Sequence, residues 1–435
     1  MTKKITRFLF FISCSIYAQQ KDSTQSYSHF TTVEFALGKT IPTNTGFPEL
    51  NLNKTIFLSF GKTNLDNSDE WAYRLRYPST GVSFALTNYG NPEYMGYSFS
   101  VNSFIEYDLL NRFLKGLTMQ MGGGASYFTY NYKDLPYAFN NAPENNNRAI
   151  STKLTWSFKM FFNYTFLKND HASWKTGLGI FHQSNGHTNM PNDALNSILF
   201  SVSRQNFYND KKPTFKKAED FISKEFPKSS NYYFDFRFGL GVNVLSEELN
   251  DRNGVYTITG SMGKTFNNTI KIGLGFHYRI YGNYYKYIKD EGELVVDEYP
   301  HFLDAPIKYA SNYGAFVNFE ILLGHIGLDA TIGYNFYKPF YEVDYQLQQG
   351  FNWEVTNSDG TTEFVYILGE LGSSYELKNA IYSRAGLKYY IISNEKKPKN
   401  NFYLGVHINS NLGEADFSEL SLGYIHNFGF KESRN

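Results

Sequence analysis

The chain has 435 residues, enough for several small domains or one large barrel. With 41 basic against 41 acidic residues its formal net charge is zero, which excludes the basic footprint of a nucleic-acid-binding protein. Aromatic residues make up 18% of it, and 35 glycines stand against 13 prolines, a composition of β-rich folds and not of a Pro-rich disordered chain.

In chain order, residues 1–18 read as an export signal. Lys3, Lys4 and Arg7 form a basic start, Phe8 to Tyr17 a short apolar run, and Ala18-Gln19 a cleavage point. Ile12-Ser13-Cys14 is an alternative, lipoprotein-type site. Cleavage after Ala18 removes Lys3, Lys4 and Arg7, so 41 basic residues become 38 against 41 acidic. It also removes Cys14, the single cysteine, and with it any disulfide, thiolate metal site or thiol nucleophile. Residues 19–28 read as a short N-terminal tail. No later segment approaches 18 consecutive apolar residues, so no transmembrane helix is expected.

From residue 29 onward the dominant signal is a period of two. Phe234, Phe236, Phe238, Leu240, Val242 and Val244 alternate with Tyr233, Asp235, Arg237, Gly239, Gly241 and Asn243. Leu274, Phe276, Tyr278 and Ile280 repeat the pattern, as do Phe402, Leu404, Val406 and Ile408, then Leu420, Leu422 and Tyr424. About 16 such segments lie near 29–40, 54–64, 70–87, 93–108, 114–132, 149–168, 172–184, 194–207, 231–246, 254–265, 268–287, 306–322, 326–341, 380–394, 400–412 and 416–430. They are roughly 10 to 18 residues long, where sandwich strands are about 5 to 6. Their polar face carries charges and glycines, as a water-facing lumen would, and Tyr281, Tyr284, Tyr285 and Tyr287 resemble an interfacial girdle. Only strands closed into a barrel satisfy every backbone group in lipid. The expected fold is all-β: a transmembrane antiparallel β-barrel of about 12–16 strands with long outer loops, spanning 29–430 of the outer membrane. Long loops near 133–148, 286–305 and 342–379 alternate with short turns. The segment 208–230 breaks the rule, being long on the short-turn side; a miscounted strand or a periplasmic helix around Ala218 to Phe226 would account for it.

The stretch 172–204 carries the candidate chemistry. His182 and Ser184 fall on the face shared by Trp174, Thr176, Leu178 and Ile180, which meets lipid. Asn196 falls on the same side of the next antiparallel strand, with Ile198, Phe200 and Val202. Polar residues at the end of such a face are tolerated in the headgroup zone, and H-x-S occurs often by chance. The sharper reading is a serine activated by a histidine two residues away on one strand face, with an orienting amide.

The segments His182-Gln183-Ser184-Asn185-Gly186 and Pro191-Asn192-Asp193-Ala194-Leu195-Asn196 resemble the lipid A 3-O-deacylase family, acyloxyacyl hydrolase-like barrel esterases of the outer membrane. The resemblance implies His182 as general base, Ser184 as nucleophile, Asn192 as an oxyanion-hole donor, and the lipopolysaccharide of the outer leaflet as substrate. It implies no cofactor and no metal; His187 reads as a loop histidine. The resemblance covers about 35 residues and departs from the family in three ways. Asn196 stands where the family has a Glu, with Asp193 nearby as a substitute acid at the wrong spacing. Ala194 replaces a Gly. The chain is also about twice the length of the family's eight-stranded barrels. The alternative function is a transport or diffusion barrel without catalysis, and a lumen packed with Arg, Asp and Tyr side chains would argue against it.

Overall fold

A computed structural model describes residues 29–44, 46–65, 67–109, 116–134, 147–169, 171–208, 226–356 and 362–432. The proposed signal and tail and Cys14 lie outside the described residues, as does most of the helix proposed around 218–226.

The expected all-β antiparallel class holds, with sixteen barrel strands among the described residues, but they close twice, into two barrels of eight. The first comprises β1 (His29–Thr40), β2 (Asn53–Thr63), β3 (Ser79–Asn88), β4 (Tyr97–Asp108), β5 (Leu117–Phe128), β6 (Leu154–Lys168), β7 (Ala172–Ser184) and β8 (Leu195–Tyr208). β8 returns to pair with β1, from His29 opposite Tyr208 to Thr40 opposite Ser197. The second comprises β9 (Ser229–Asn243), β10 (Asn253–Phe266), β11 (Ile270–Tyr281), β12 (Ser311–Leu323), β13 (Ile326–Tyr337), β16 (Ile381–Tyr390), β17 (Asn400–Asn411) and β18 (Glu414–Glu432), closed by β18 on β9. A hairpin of β14 (Phe351–Thr356) and β15 (Thr362–Ile367) stands apart. The long segment at 208–230 thus joins two barrels and is not a misplaced loop of one.

The faces are those the alternation predicts. Phe234, Phe236, Phe238 and Leu240 are exposed on the outer wall, while Tyr233, Asp235 and Arg237 are buried within. Eight strands enclose an interior that side chains can fill, and both interiors are filled. In the first barrel Phe57, Phe161 and Phe181 meet edge to face. Lys159 pairs with Glu34, and Lys175 with Glu106 at 2.6 Å. In the second, Arg237 pairs with Glu419, Arg384 with Asp329 at 2.6 Å, and Lys388 with both Glu320 at 3.0 Å and Asp329 at 3.2 Å. Charges so buried persist only when paired.

Two sequence expectations change at the long-loop end of the second barrel. The strand expected to run to 287 stops at Tyr281, and a helix, α1 (Gly282–Lys289), begins. Tyr281 and Tyr284 are fully buried, stacked 4.4 Å apart, with Phe302, Phe340 and Phe417 around them. They form a cap over the barrel and not a girdle. The acidic stretch 342–379, expected as a loop, contains α2 (Tyr341–Gln349), the β14–β15 hairpin and α3 (Ser373–Ala380). Among the described residues no helix is long and apolar enough to cross a membrane.

Candidate active site

Strand pairing decides the first half of the site. β7 and β8 are antiparallel neighbours, and their register sets His182 directly opposite Asn196. Cross-strand partners have adjacent Cβ atoms, and here His182 Nδ1 lies 2.8 Å from Asn196 Oδ1. With the amide oxygen accepting, the Nδ1 position carries the proton and Nε2 keeps its lone pair, the tautomer a general base requires. Around the pair, Leu178, Ile180, Ile198 and Phe200 are exposed on the outer wall. Asn196 is exposed among them and His182 is half-buried.

The loop between the two strands decides the other half. Ser184, the last residue of β7, is only 4% exposed, less than its place on an outer face suggests. Its Oγ receives the Gly186 N–H at 3.1 Å and the Asn192 Nδ2–H at 3.0 Å. The orientation of the Asn192 amide is fixed, because its Oδ1 accepts the Asn185 N–H at 2.9 Å and a backbone N–H can only donate. Asn192 therefore turns its Nδ2 toward Ser184 Oγ, which also lies 3.3 Å from Asn192 Oδ1. Among the described hydrogen bonds none joins Ser184 to His182. The structure thus brings His182 to Asn196 and Ser184 to Asn192, as two pairs two residues apart on one strand.

Residues that sequence reasoning did not single out hold this loop. Asn185 Nδ2 donates to Ser151 Oγ at 3.1 Å and to the Asn189 carbonyl at 2.7 Å, while Asn189 Nδ2 donates to the same Ser151 Oγ at 2.8 Å. Trp156 is the cross-strand partner of Ser184 on β6. No motif marks Ser151 or Trp156 in the sequence. Asp193 does not stand in for the missing acid. It faces Arg148 at 3.9 Å, and Arg148 pairs more closely with Glu247 of the second barrel at 2.6 Å. Partial loss of solvent in the loop pushes the Asp193 carboxyl up to about 6 against the pull of Arg148. His187 is a buried loop histidine whose Nε2 lies 3.0 Å from the Val244 carbonyl, and burial lowers its pKa. Among the described residues no group of three or more His, Cys, Asp or Glu side chains could hold a metal ion.

No curated protein matches the chain. Among solved structures it is similar to the outer membrane enzyme PagL at 14% identity, over 40% of this chain and 97% of that one, with a TM-score of 0.27. It is also similar to an outer membrane channel from Pseudomonas putida F1 at 8% identity, over 95% and 98% of the two chains, with a TM-score of 0.16. The outer membrane protein Omp33 of Acinetobacter baumannii is likewise similar at 8% identity, over 93% and 100%, with a TM-score of 0.16. Residues 60–205, from β2 to near the end of β8, match the family model described as lipid A 3-O-deacylase, PagL. This is an integral β-barrel protein of the outer membrane, and residues 60–205 of its first barrel are similar to the lipid A 3-O-deacylase family.

Proposed function

We propose that this protein is a serine esterase that removes a fatty-acyl chain from lipid A of lipopolysaccharide, with Ser184 as nucleophile, His182 as base, Asn196 orienting the histidine and Asn192 donating to the oxyanion. The observation that carries the reading is the His182–Asn196 hydrogen bond at 2.8 Å, beside a serine that already faces two N–H donors. A position on the outer wall suits a substrate that never leaves the membrane.

The chemistry needs one side-chain rotation. Turning Ser184 about its Cα–Cβ bond, between staggered wells, would carry Oγ away from Gly186 N–H and Asn192 Nδ2 toward His182. The donors it leaves are then free for the ester carbonyl oxygen. Oγ attacks the acyl carbon as His182 Nε2 takes its proton. The two N–H groups stabilise the oxyanion. The C–O bond to the sugar breaks, and His182 returns the proton to the departing sugar oxygen. Water, deprotonated by His182, then attacks the acyl-serine and releases the fatty acid, restoring Ser184. The filled lumens favour this reading over a diffusion barrel.

Mass spectrometry of lipid A from cells expressing the full chain tests the assignment. Wild type is expected to remove one acyl chain, and Ser184→Ala to leave lipid A intact. Equal deacylation by both would sink the serine mechanism.

A further inference from the structure

Ser184 lies at the seam between the barrels. Its cross-strand partner Trp156 donates its indole N–H to Ser418 Oγ of the second barrel at 2.9 Å. The Ser418 hydroxyl in turn donates to the Gly186 carbonyl at 3.1 Å, and Gly186 gives its own N–H to Ser184 Oγ at 3.1 Å. The approach is close. Gly186 has φ of 65°, and a Cβ there would fall 2.3 Å from Ser418 Oγ and 3.0 Å from the Trp156 ring, so a residue without a side chain is required. The rest of the loop is tied to the same neighbour. His187 meets the Val244 carbonyl. Asn250 bonds both the carbonyl of Met190 at 2.7 Å and its N–H at 2.9 Å. Arg252 Nε donates to the Thr188 carbonyl at 2.8 Å. Without the second barrel, the carbonyls of Gly186 and Thr188 and both backbone groups of Met190 would lose these partners, and the loop carrying the serine's donors would be held only from the Ser151 side.

We propose that the second barrel is a positioning element for the serine site of the first, and that Ser418 is its key positioning residue. By bridging Trp156 and the Gly186 carbonyl it sets the direction of the Gly186 N–H. The proposal rests on the reading of Ser184 as nucleophile. Its physical basis is that a donor must be held within a fraction of an ångström by its supporting contacts, and that a displacement of about 1 Å can cost on the order of a hundredfold in rate. Ser418 itself touches neither Ser184 nor His182 by any described bond.

The test is steady-state kinetics of the full-length protein on lipopolysaccharide. Ser418→Ala is expected to lower kcat about tenfold, the effect of one hydrogen bond lost in the transition state, with KM within about twofold. Ser418→Thr keeps a hydroxyl and should recover most of the loss. Trp156→Phe, which removes only the indole N–H, should match Ser418→Ala, and the double variant should be no worse than either. Hydrogen exchange in loop 185–193 should quicken in Ser418→Ala. Unchanged kcat in Ser418→Ala, with Ser184→Ala inactive, overturns the positioning role and leaves the esterase standing. An active Ser184→Ala overturns both. Should Ser418→Ala fail to fold, Asn250→Ala cuts a second tie to the same loop. A lowered kcat there supports the proposal and an unchanged one overturns it.

Discussion

Asn196 holds the His182 ring through a neutral oxygen at 2.8 Å. It can fix the tautomer, but it cannot stabilise an imidazolium by charge. A carboxylate in the same place would make the bond charge-assisted, roughly doubling its strength. Asn196→Asp is therefore expected to raise kcat about tenfold, as about 1.4 kcal/mol less barrier, and Asn196→Ala to lower it. A kcat in Asn196→Asp below wild type would mean the site is adapted to the amide. Ala194 shows a second residue-scale effect. It occupies φ of 61°, a left-handed conformation costing an L-residue about 1–2 kcal/mol. Ala194→Gly relieves that strain but adds about 0.4–1 kcal/mol of unfolded-chain entropy. The expected balance is a stabilisation of up to about 1 kcal/mol, measurable by urea unfolding in detergent. The sequence exposed Ala194 as a departure from a family glycine, but only the backbone angle says why a glycine belongs there.

At the scale of elements, the strands were legible because a period of two survives any tertiary context, whereas the cap helices were hidden by their aromatics. Tyr281, Tyr284, Tyr285 and Ile288 have helical spacing, yet Tyr281 also ends a strand pattern, so a continued strand and a helix read alike there. The cap carries a titration that can be checked. Asp344 of α2 is buried, with Tyr284 Oη donating to it at 3.0 Å and Gln348 Nε2 at 2.8 Å. Burial first, and then the nearby Asp416 carboxylate, push its carboxyl up to about 7. A carboxyl whose folded pKa is raised favours the fold when protonated. Its contribution is complete below about pH 4 and is lost as pH rises through about 7. The cap should therefore loosen between pH 4 and 7, seen as faster hydrogen exchange in 341–349. Asp344→Asn should flatten that dependence. A pH profile identical in the variant would rule out Asp344 as its source.

Across the whole molecule, the two lumens differ in what fills them. The second is held by a charge lattice in which Asp329 serves Arg384 at 2.6 Å, Lys388 at 3.2 Å and His407 at 3.2 Å. Asp329→Ala would strand buried cations, a loss of about 3–5 kcal/mol. It should unfold the second barrel at lower denaturant and leave the strands of the first intact. A single unshifted transition would show that the lattice contributes little. Filled lumens also predict no steady conductance from the full chain in planar bilayers; open-channel currents would restore the transport alternative.

The antiparallel class, the faces of the alternating strands and the shared outer side of His182 and Asn196 are legible in the sequence, because alternation fixes which side chains share a face. Where each sheet closes is settled by the pairing of distant strands. Alternation records inside and outside but not the partner strand, so β8 could have paired with β9 as readily as with β1. The same holds for Ser418. It is a polar residue just before the outward Leu420 and Leu422, the kind of signal that drew attention to His182, yet nothing in its own strand says that the loop 185–193 of the other barrel lies against it. That contact joins residues more than two hundred positions apart, and it exists only once both barrels have closed and docked.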